Sequence, residues 1–333
     1  MQTTNRRFIL ARSPTGALTP DCFKLDAAPV PEPKEGEVLL RSLFVSLDAA
    51  NRAWMQGATY RAAVEPGSVM AGGALGEVVA SHHPDFKAGD LASGDLGWQE
   101  YSVVPGKALM KAMRTEPLSH LLSLYGITGL TAYFGLLDVG QPKAGETLVV
   151  SAAAGAVGNV VGQIGKILGC RVVGVAGGPE KCRWLTEELG FDAAVDYKAA
   201  GLIKSLRAAC PKGIDVYFDN VGGDVFEAAL FQMNLRGRIA CCGAVSGYDS
   251  APPAHGPRGV PGMIVVKRLS VRGFIVMDFF ARRAQAQAQL QAWVSEGKIK
   301  IVEDVIDGFD KLPAALVGLL HGENRGKRMV RVA

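Results

Sequence analysis

No apolar run in this sequence is long enough to span a bilayer. Its start shows no cationic segment followed by an apolar stretch, so it lacks the pattern of a secretory leader, and the two absences favour the cytoplasm. The six cysteines, Cys22, Cys170, Cys182, Cys210, Cys241 and Cys242, make no Cys-x-x-Cys pair. The five histidines do not fall at ligand spacings with them, which argues against structural zinc. A disulfide framework is unnecessary in a chain of 333 residues, so buried or half-buried reduced thiols are expected. Strong charge of one sign is missing too. The net charge is +4 and the basic residues are dispersed, which suits an anionic small molecule but gives no nucleic-acid arm. Heptad arrays, short repeats and low-complexity segments are absent as well.

What is abundant is glycine, 41 residues, which favours tight turns and close backbone approaches. The length suits two domains. Residues 1–124 read as short strands punctuated by Pro and Gly, such as "EVLLRSLFVSLD" and "GALGEVVAS", and predict a small, partly open barrel. From "GETLVVSAAAG" onward the rhythm becomes strand, turn, helix. Strands are predicted at Thr147–Ser151, Arg171–Val175, Ala193–Asp196, Asp215–Asp219, Arg238–Cys242 and Ser270–Val276. Helices are predicted at Ala156–Leu168, Pro179–Leu189, Leu202–Ala209 and Val225–Met233. Runs such as "TLVVS" are apolar without alternation, as in strands covered on both faces, and the alternation implies a doubly wound parallel sheet. "SAPPAHGPRGVPG" (Ser250–Gly262) reads as an exposed loop, Arg282–Lys300 as one amphipathic helix ending near Gly297, and Asn324–Val332 as a final strand.

Between the first of those strands and the helix after it lies "SAAAGAVGNVVGQIGK". Gly155 and Gly158 stand where a dinucleotide-binding turn needs backbone close to a pyrophosphate, at the positively polarised start of a helix. Ala153 replaces the first glycine of the pattern, and Gly162 and Gly165 suit close helix–sheet packing. The next strand ends "VAGGPEKCR": Gly177 and Gly178 replace the acid that would bind the ribose hydroxyls of NAD, and Lys181 and Arg183 follow. This favours NADP(H), although Glu180 is placed to take the acidic role.

The segments "TGLTAYFGLLDVG", "AAAGAVGNVVGQIGKILGCRVVGVAGGPEKCRWL", "GIDVYFDNVGG", "CCGAVSGY" and "LFVSLDAANRAWM" together resemble the zinc-independent medium-chain dehydrogenase/reductase superfamily, in its branch of prostaglandin reductases, alkenal double-bond reductases and bacterial curcumin reductases. The resemblance covers essentially the whole chain. It implies a GroES-like β-barrel substrate domain (1–124, completed by a C-terminal return, 292–333) and a Rossmann NADP-binding domain (125–291), with substrate in the cleft between them, in a homodimer. Zinc-dependent relatives carry Gly-His-Glu where this chain has "GGALGEVV", without histidine, so no metal is expected.

Carried over by position, the resemblance places the pyrophosphate at Ala154, Gly155, Ala156, Val157 and Gly158, and the 2′-phosphate at Lys181 and Tyr197. It also implies cofactor contacts at Asn220, at the loop of Cys242, Gly243, Ala244, Val245, Ser246 and Tyr248, at Phe274, Ile275 and Val276, and at Asn324. Tyr248 matches the tyrosine expected to orient or protonate the substrate, and thus the catalytic position. Asn51, Trp54, Tyr60 and Met70 are candidate pocket residues, with barrel core as the plainer reading for each. The chain departs from its relatives in reading "DAANR" in place of "DPYMR" or "DPAMR", so Ala50 stands where some have a pocket tyrosine. The implied reaction is NADPH-dependent reduction of the C=C bond of an enone or enal. Quinone reduction and a non-catalytic, crystallin-like role are the alternatives.

Overall fold

The computed structural model describes residues 3–249 and 256–333. The chain divides into two compact units: one takes the chain up to Leu122 with Glu303–Glu323 and Arg328–Ala333, the other Ser123–Val302 with Asn324–Lys327.

In the first unit a seven-stranded sheet is organised on the ten-residue strand Glu37–Ser46. This strand pairs antiparallel with Gly73–Ser81, Tyr101–Pro105 and Lys327–Arg331. Thr4–Leu10 and Phe23–Pro29 form a separate antiparallel pair. Leu10, Leu40, Met70 and Trp98 are fully buried in the core, consistent with the antiparallel, GroES-like domain expected of this region.

The second unit holds helix α1 (Ile127–Phe134) and six strands: β1 (Thr147–Ser151), β2 (Arg171–Ala176), β3 (Ala193–Asp196), β4 (Ile214–Asp219), β5 (Met233–Cys241) and β6 (Ser270–Gly273). Helices α2 (Ala156–Ile167), α3 (Pro179–Glu187), α4 (Leu202–Ala209), α5 (Gly223–Leu230) and α6 (Val260–Lys267) connect them. All pairings are parallel and the strand order is 3-2-1-4-5-6, the doubly wound arrangement. Every residue of β1 is buried, which is why its apolar run shows no alternation. The order reverses between β1 and β4, and the carboxyl ends of those strands are where such sheets take ligands.

Several expectations need correction. Residues 292–302 stay with the parallel-sheet unit rather than returning to the first, because Trp293 and Ile299 are buried in its core. Residues 324–327 also belong to it. The strand expected to reach Val276 stops at Gly273, since Val276 turns into a cluster with Leu130, Phe134 and Ala286 and begins a 3-10 helix. Met233 opens β5 rather than closing α5, paired with Ile214 and fully buried. Part of the expected 250–262 loop is α6; Pro261 sits in its first turn, where proline costs no hydrogen bond. Ser250–His255 lie outside the described residues. Helix α7 (Arg283–Ser295) follows, with Gly297 at φ +69° just beyond it.

Candidate functional site

The turn after β1 brings the glycines together. The Gly155 amide donates to the Ala152 carbonyl at 2.9 Å, and Ala152 itself takes a left-handed φ of +47°. A Cβ on Gly158 would lie 2.3 Å from that carbonyl oxygen, so the turn excludes any side chain there before a ligand is considered. Ala153 is fully buried, and its methyl fills the space left by Gly174 on β2, where a Cβ would come within 2.9 Å. The missing first glycine is therefore compensated on the neighbouring strand. Gly162 and Gly165 pack as expected: Cβ atoms there would fall 1.9 Å from the Phe191 ring and 2.5 Å from Leu148. Helix α2 has Gly155 as its N-cap with no side-chain cap, which leaves its first turn, at Val157 and Gly158, open to an anion. The Gly326 amide donates to the Ala154 carbonyl at 2.9 Å, tying the 324–327 segment to the same turn. Asn324 is buried and donates to the Gly326 carbonyl at 2.8 Å, so its role is to shape that strap.

At the end of β2, Tyr197 and Lys198 lie against Gly177, where a Cβ would be 3.0 Å from each. Lys181 is half-buried in the first turn of α3. One carboxylate at this corner comes from β3: Asp196 accepts the amides of Gly178 at 2.8 Å and Lys198 at 2.9 Å. Those bonds commit it to the backbone.

The switch point is built on a residue that reading the sequence did not single out. Asp219, buried at the end of β4, accepts the Tyr217 hydroxyl at 2.7 Å and Ser151 Oγ at 3.0 Å. It also accepts the Val221 and Gly222 amides, each at 3.0 Å. Asn220 donates its side-chain amide to the Ser151 carbonyl at 2.7 Å and its backbone amide to Ser151 Oγ at 2.8 Å. Burial first, then the adjacent Asp219 charge, push the Tyr217 phenol well above its ordinary range, so it stays a neutral donor. A buried Asp between Tyr and Asn in "YFDN" is a weak signal in sequence; its one distant partner, Ser151, comes from β1, some 70 residues earlier.

The 242–248 loop hangs from this turn. The amides of Cys242 (2.8 Å) and Gly243 (3.2 Å) donate to the Asp219 carbonyl, Val245 N–H to Asn220 (3.2 Å), and Ser246 N–H and Oγ to Val221 (3.0 and 2.7 Å). The Tyr248 phenol oxygen accepts the Ala244 amide at 3.2 Å, folding the ring back over its own loop. Burial, with the Asp219 charge second, pushes the Cys242 thiol up to about 12, which suits backbone contact rather than thiolate chemistry. Phe274 and Ile275 lie just beyond β6. The Phe274 ring covers Gly135, where a Cβ would be 2.2 Å from it, and Val276 is buried, so both side chains are spent on packing.

The pocket expectations in the first unit divide. Asn51 is fully buried; it accepts the Asp48 amide at 2.8 Å and donates to the Ala71 carbonyl at 3.1 Å, which makes it a turn-fixing residue. Met70 is fully buried core. Trp54 is largely buried, and exposed Tyr60 packs edge-on against it at 6.3 Å.

Two family models match: an N-terminal domain of oxidoreductase over residues 6–112 and a zinc-binding dehydrogenase over 156–295. The NADPH-dependent curcumin reductase of Escherichia coli (strain K12) is 47% identical over 99% of this chain and 97% of its own. The chain belongs to the medium-chain dehydrogenase/reductase superfamily. Within it, this reductase is similar also to bovine (Bos taurus) prostaglandin reductase 1, at 44% identity over 93% of each chain. The crystal structure of CurA in complex with NADPH from Vibrio vulnificus superposes with a TM-score of 0.94 at 41% identity, covering 98% of this chain and 99% of that one. Among the described residues no group of three or more His, Cys, Asp or Glu side chains is arranged to hold a metal ion. The residues of the reductase fit a dinucleotide: a glycine-capped helix start, a turn with no room for a side chain at Gly158, and Gly177 where an NAD-type acid would stand.

Proposed function

We propose that the protein reduces carbon–carbon double bonds conjugated to a ketone or aldehyde, using NADPH. The observation that carries this reading is the full-length likeness to an NADPH-dependent curcumin reductase on a dinucleotide turn that lacks the NAD-type acid. Bound NADPH supplies hydride to the substrate's β-carbon. The chain's share is position and electrostatics. The first-turn amides of α2 hold the pyrophosphate, and Lys181 and Tyr197 take the 2′-phosphate. The turn at Asp219 supports the loop beside the nicotinamide. Negative charge develops on the substrate carbonyl oxygen, where a neutral hydrogen-bond donor is worth about 3–4 kcal/mol. Tyr248 serves as that donor: its phenol oxygen lies 3.2 Å from the Ala244 amide, on the loop carried by the Asp219 turn.

NADPH absorbance followed with an α,β-unsaturated ketone, with a quinone and without acceptor tests the reading. Oxidation with the enone is expected. Turnover of the quinone alone would replace this reading with a quinone reductase, and NADPH binding without turnover on any acceptor would replace it with a non-catalytic role.

We further propose a homodimer joined at the sheet edge. Strand β6 is exposed at all four residues, α6 buries none, and Val265 and Val266 are 72% and 63% exposed. An open strand edge beside an apolar helix is a surface that calls for a partner. Val266→Asp should shift the sedimentation mass from two chains to one; a wild-type monomer would refute the proposal. The six free thiols suit a reducing compartment, and we place the enzyme in the cytoplasm.

A further inference from the structure

The strap at residues 324–327 does more than cover the pyrophosphate turn. Its backbone is tied to Ala154 by the Gly326 amide, and from it the Arg325 guanidinium reaches Glu180, with Nη2 3.5 Å from Oε2. Both side chains are largely exposed, 43% and 75%, so the pair contributes little to stability. Its position gives it another use. Glu180 is the acidic residue of the first turn of α3, adjacent to Lys181 and just beyond the end of β2. A carboxylate there repels a phosphate on the adenosine ribose and suits the bare diol of NAD. A planar guanidinium beside it cancels that charge and presents paired N–H donors of the geometry that phosphate accepts. Tyr197 and Lys198, packed on Gly177, line the same corner.

We propose that Arg325 is a determinant of coenzyme specificity: it neutralises Glu180 and donates to the 2′-phosphate of NADPH. The inference rests on the reading that places that phosphate at Lys181 and Tyr197. The chain brings the guanidinium from residues 324–327, near its C-terminus, so a coenzyme site read from β2 and α3 alone misses it.

Calorimetric titration with adenosine 2′,5′-bisphosphate and with 5′-AMP isolates the extra phosphate without turnover. The full-length protein and its Arg325→Ala, Arg325→Lys, Glu180→Gln/Arg325→Ala and Lys181→Ala variants are compared. Arg325→Ala should lower the preference for the bisphosphate about tenfold, Arg325→Lys should keep part of it, and the double variant should recover affinity relative to Arg325→Ala. The NADPH-over-NADH ratio of kcat/KM should follow the same order. Equal weakening of both probes by Arg325→Ala, or an unmoved ratio, overturns the role of Arg325. If Lys181→Ala still collapses the preference in that case, the phosphate site stands without Arg325. Should Lys181→Ala leave the preference intact, the underlying placement fails instead.

Discussion

Replacing Asp219 tests whether the switch point is held by its buried carboxylate. In Asp219→Ala the Tyr217 hydroxyl, fully buried, and the Val221 and Gly222 amides lose their acceptor together. Each buried donor left without a partner costs about 1–3 kcal/mol. Water can enter beside the amides but not readily at Tyr217, so a net loss of about 3–5 kcal/mol is expected, a large part of an ordinary domain's stability. Asp219→Asn keeps the shape and one acceptor oxygen but presents an NH2 group to Gly222, whose amide also points at Oδ2 at 3.2 Å; about 1–2 kcal/mol is expected. At roughly 2–4 °C per kcal/mol, Asn should lower Tm by several degrees and still fold. The functional effect is separable from this loss. Five hydrogen bonds suspend residues 242–246 from the 219–221 turn, so a shifted turn moves the loop that carries Tyr248. Thermal unfolding and NADPH-coupled steady-state kinetics on the Asn variant, assayed well below its Tm, should show kcat falling more than the KM of NADPH rises. A Tm for Asp219→Ala within about a degree of wild type would refute the stability argument. An Asn variant with full kcat would refute the positioning role.

Tyr248→Phe should lower kcat by about tenfold or more while leaving Tm nearly unchanged, because the lost acceptor serves the exposed amide of Ala244; equal kcat would move the donor role elsewhere. Gly158→Ala and Gly162→Ala should both destabilise, their methyl groups meeting the Ala152 carbonyl and the Phe191 ring, by about 1–3 kcal/mol. Only Gly158→Ala should also weaken NADPH binding in a fluorescence titration, since Gly162 packs against the core. Burial raises the Glu146 carboxyl, but the Arg238 guanidinium and the Lys143 amide outweigh it and hold it below its ordinary range. Its stabilising effect is therefore present above the unfolded carboxyl's pKa and lost as pH falls through the folded one, so Glu146→Gln should flatten the acid limb of Tm against pH. Burial lifts the thiols of Cys170, Cys210 and Cys241 to about 11 and Cys242 to about 12, so iodoacetamide at pH 8 should leave all four unmodified in the native protein, as peptide mass mapping would show.

Strands β1 and β3 lie at the bounds their sequences predict; β1, buried at every residue, is written as a short apolar run between turn residues, whereas β3 is an edge strand with only Val195 buried. The same rule misreads β6, which is exposed throughout; the apolar residues after it belong to the helical cluster around Phe134. Helix α6 is hidden because its first turn reads as loop chemistry, "GPRGVPG", and no buried face gives it a period. Local signals thus report elements well and reach as far as the chemistry of a single turn, such as the glycines after β1.

The site extends past that range. The absence of an acid at Gly177–Gly178 is legible, since it concerns one strand end and the charge it does not carry. Glu180 reads as an ambiguity in sequence because its charge is answered by Arg325, from a distant segment that the Gly326–Ala154 hydrogen bond and the Gly155–Gly326 bridge bring to the turn. Asp219 is the buried counterpart: its neighbours in sequence supply two amides and Tyr217, but Ser151 comes from the strand across the switch point. In both places one partner of the carboxylate comes from a distant segment. Coenzyme choice and loop position therefore depend on pairings set by topology, and substitutions at the distant partners, Arg325 and Ser151, should change function although neither pairing can be read from the local sequence.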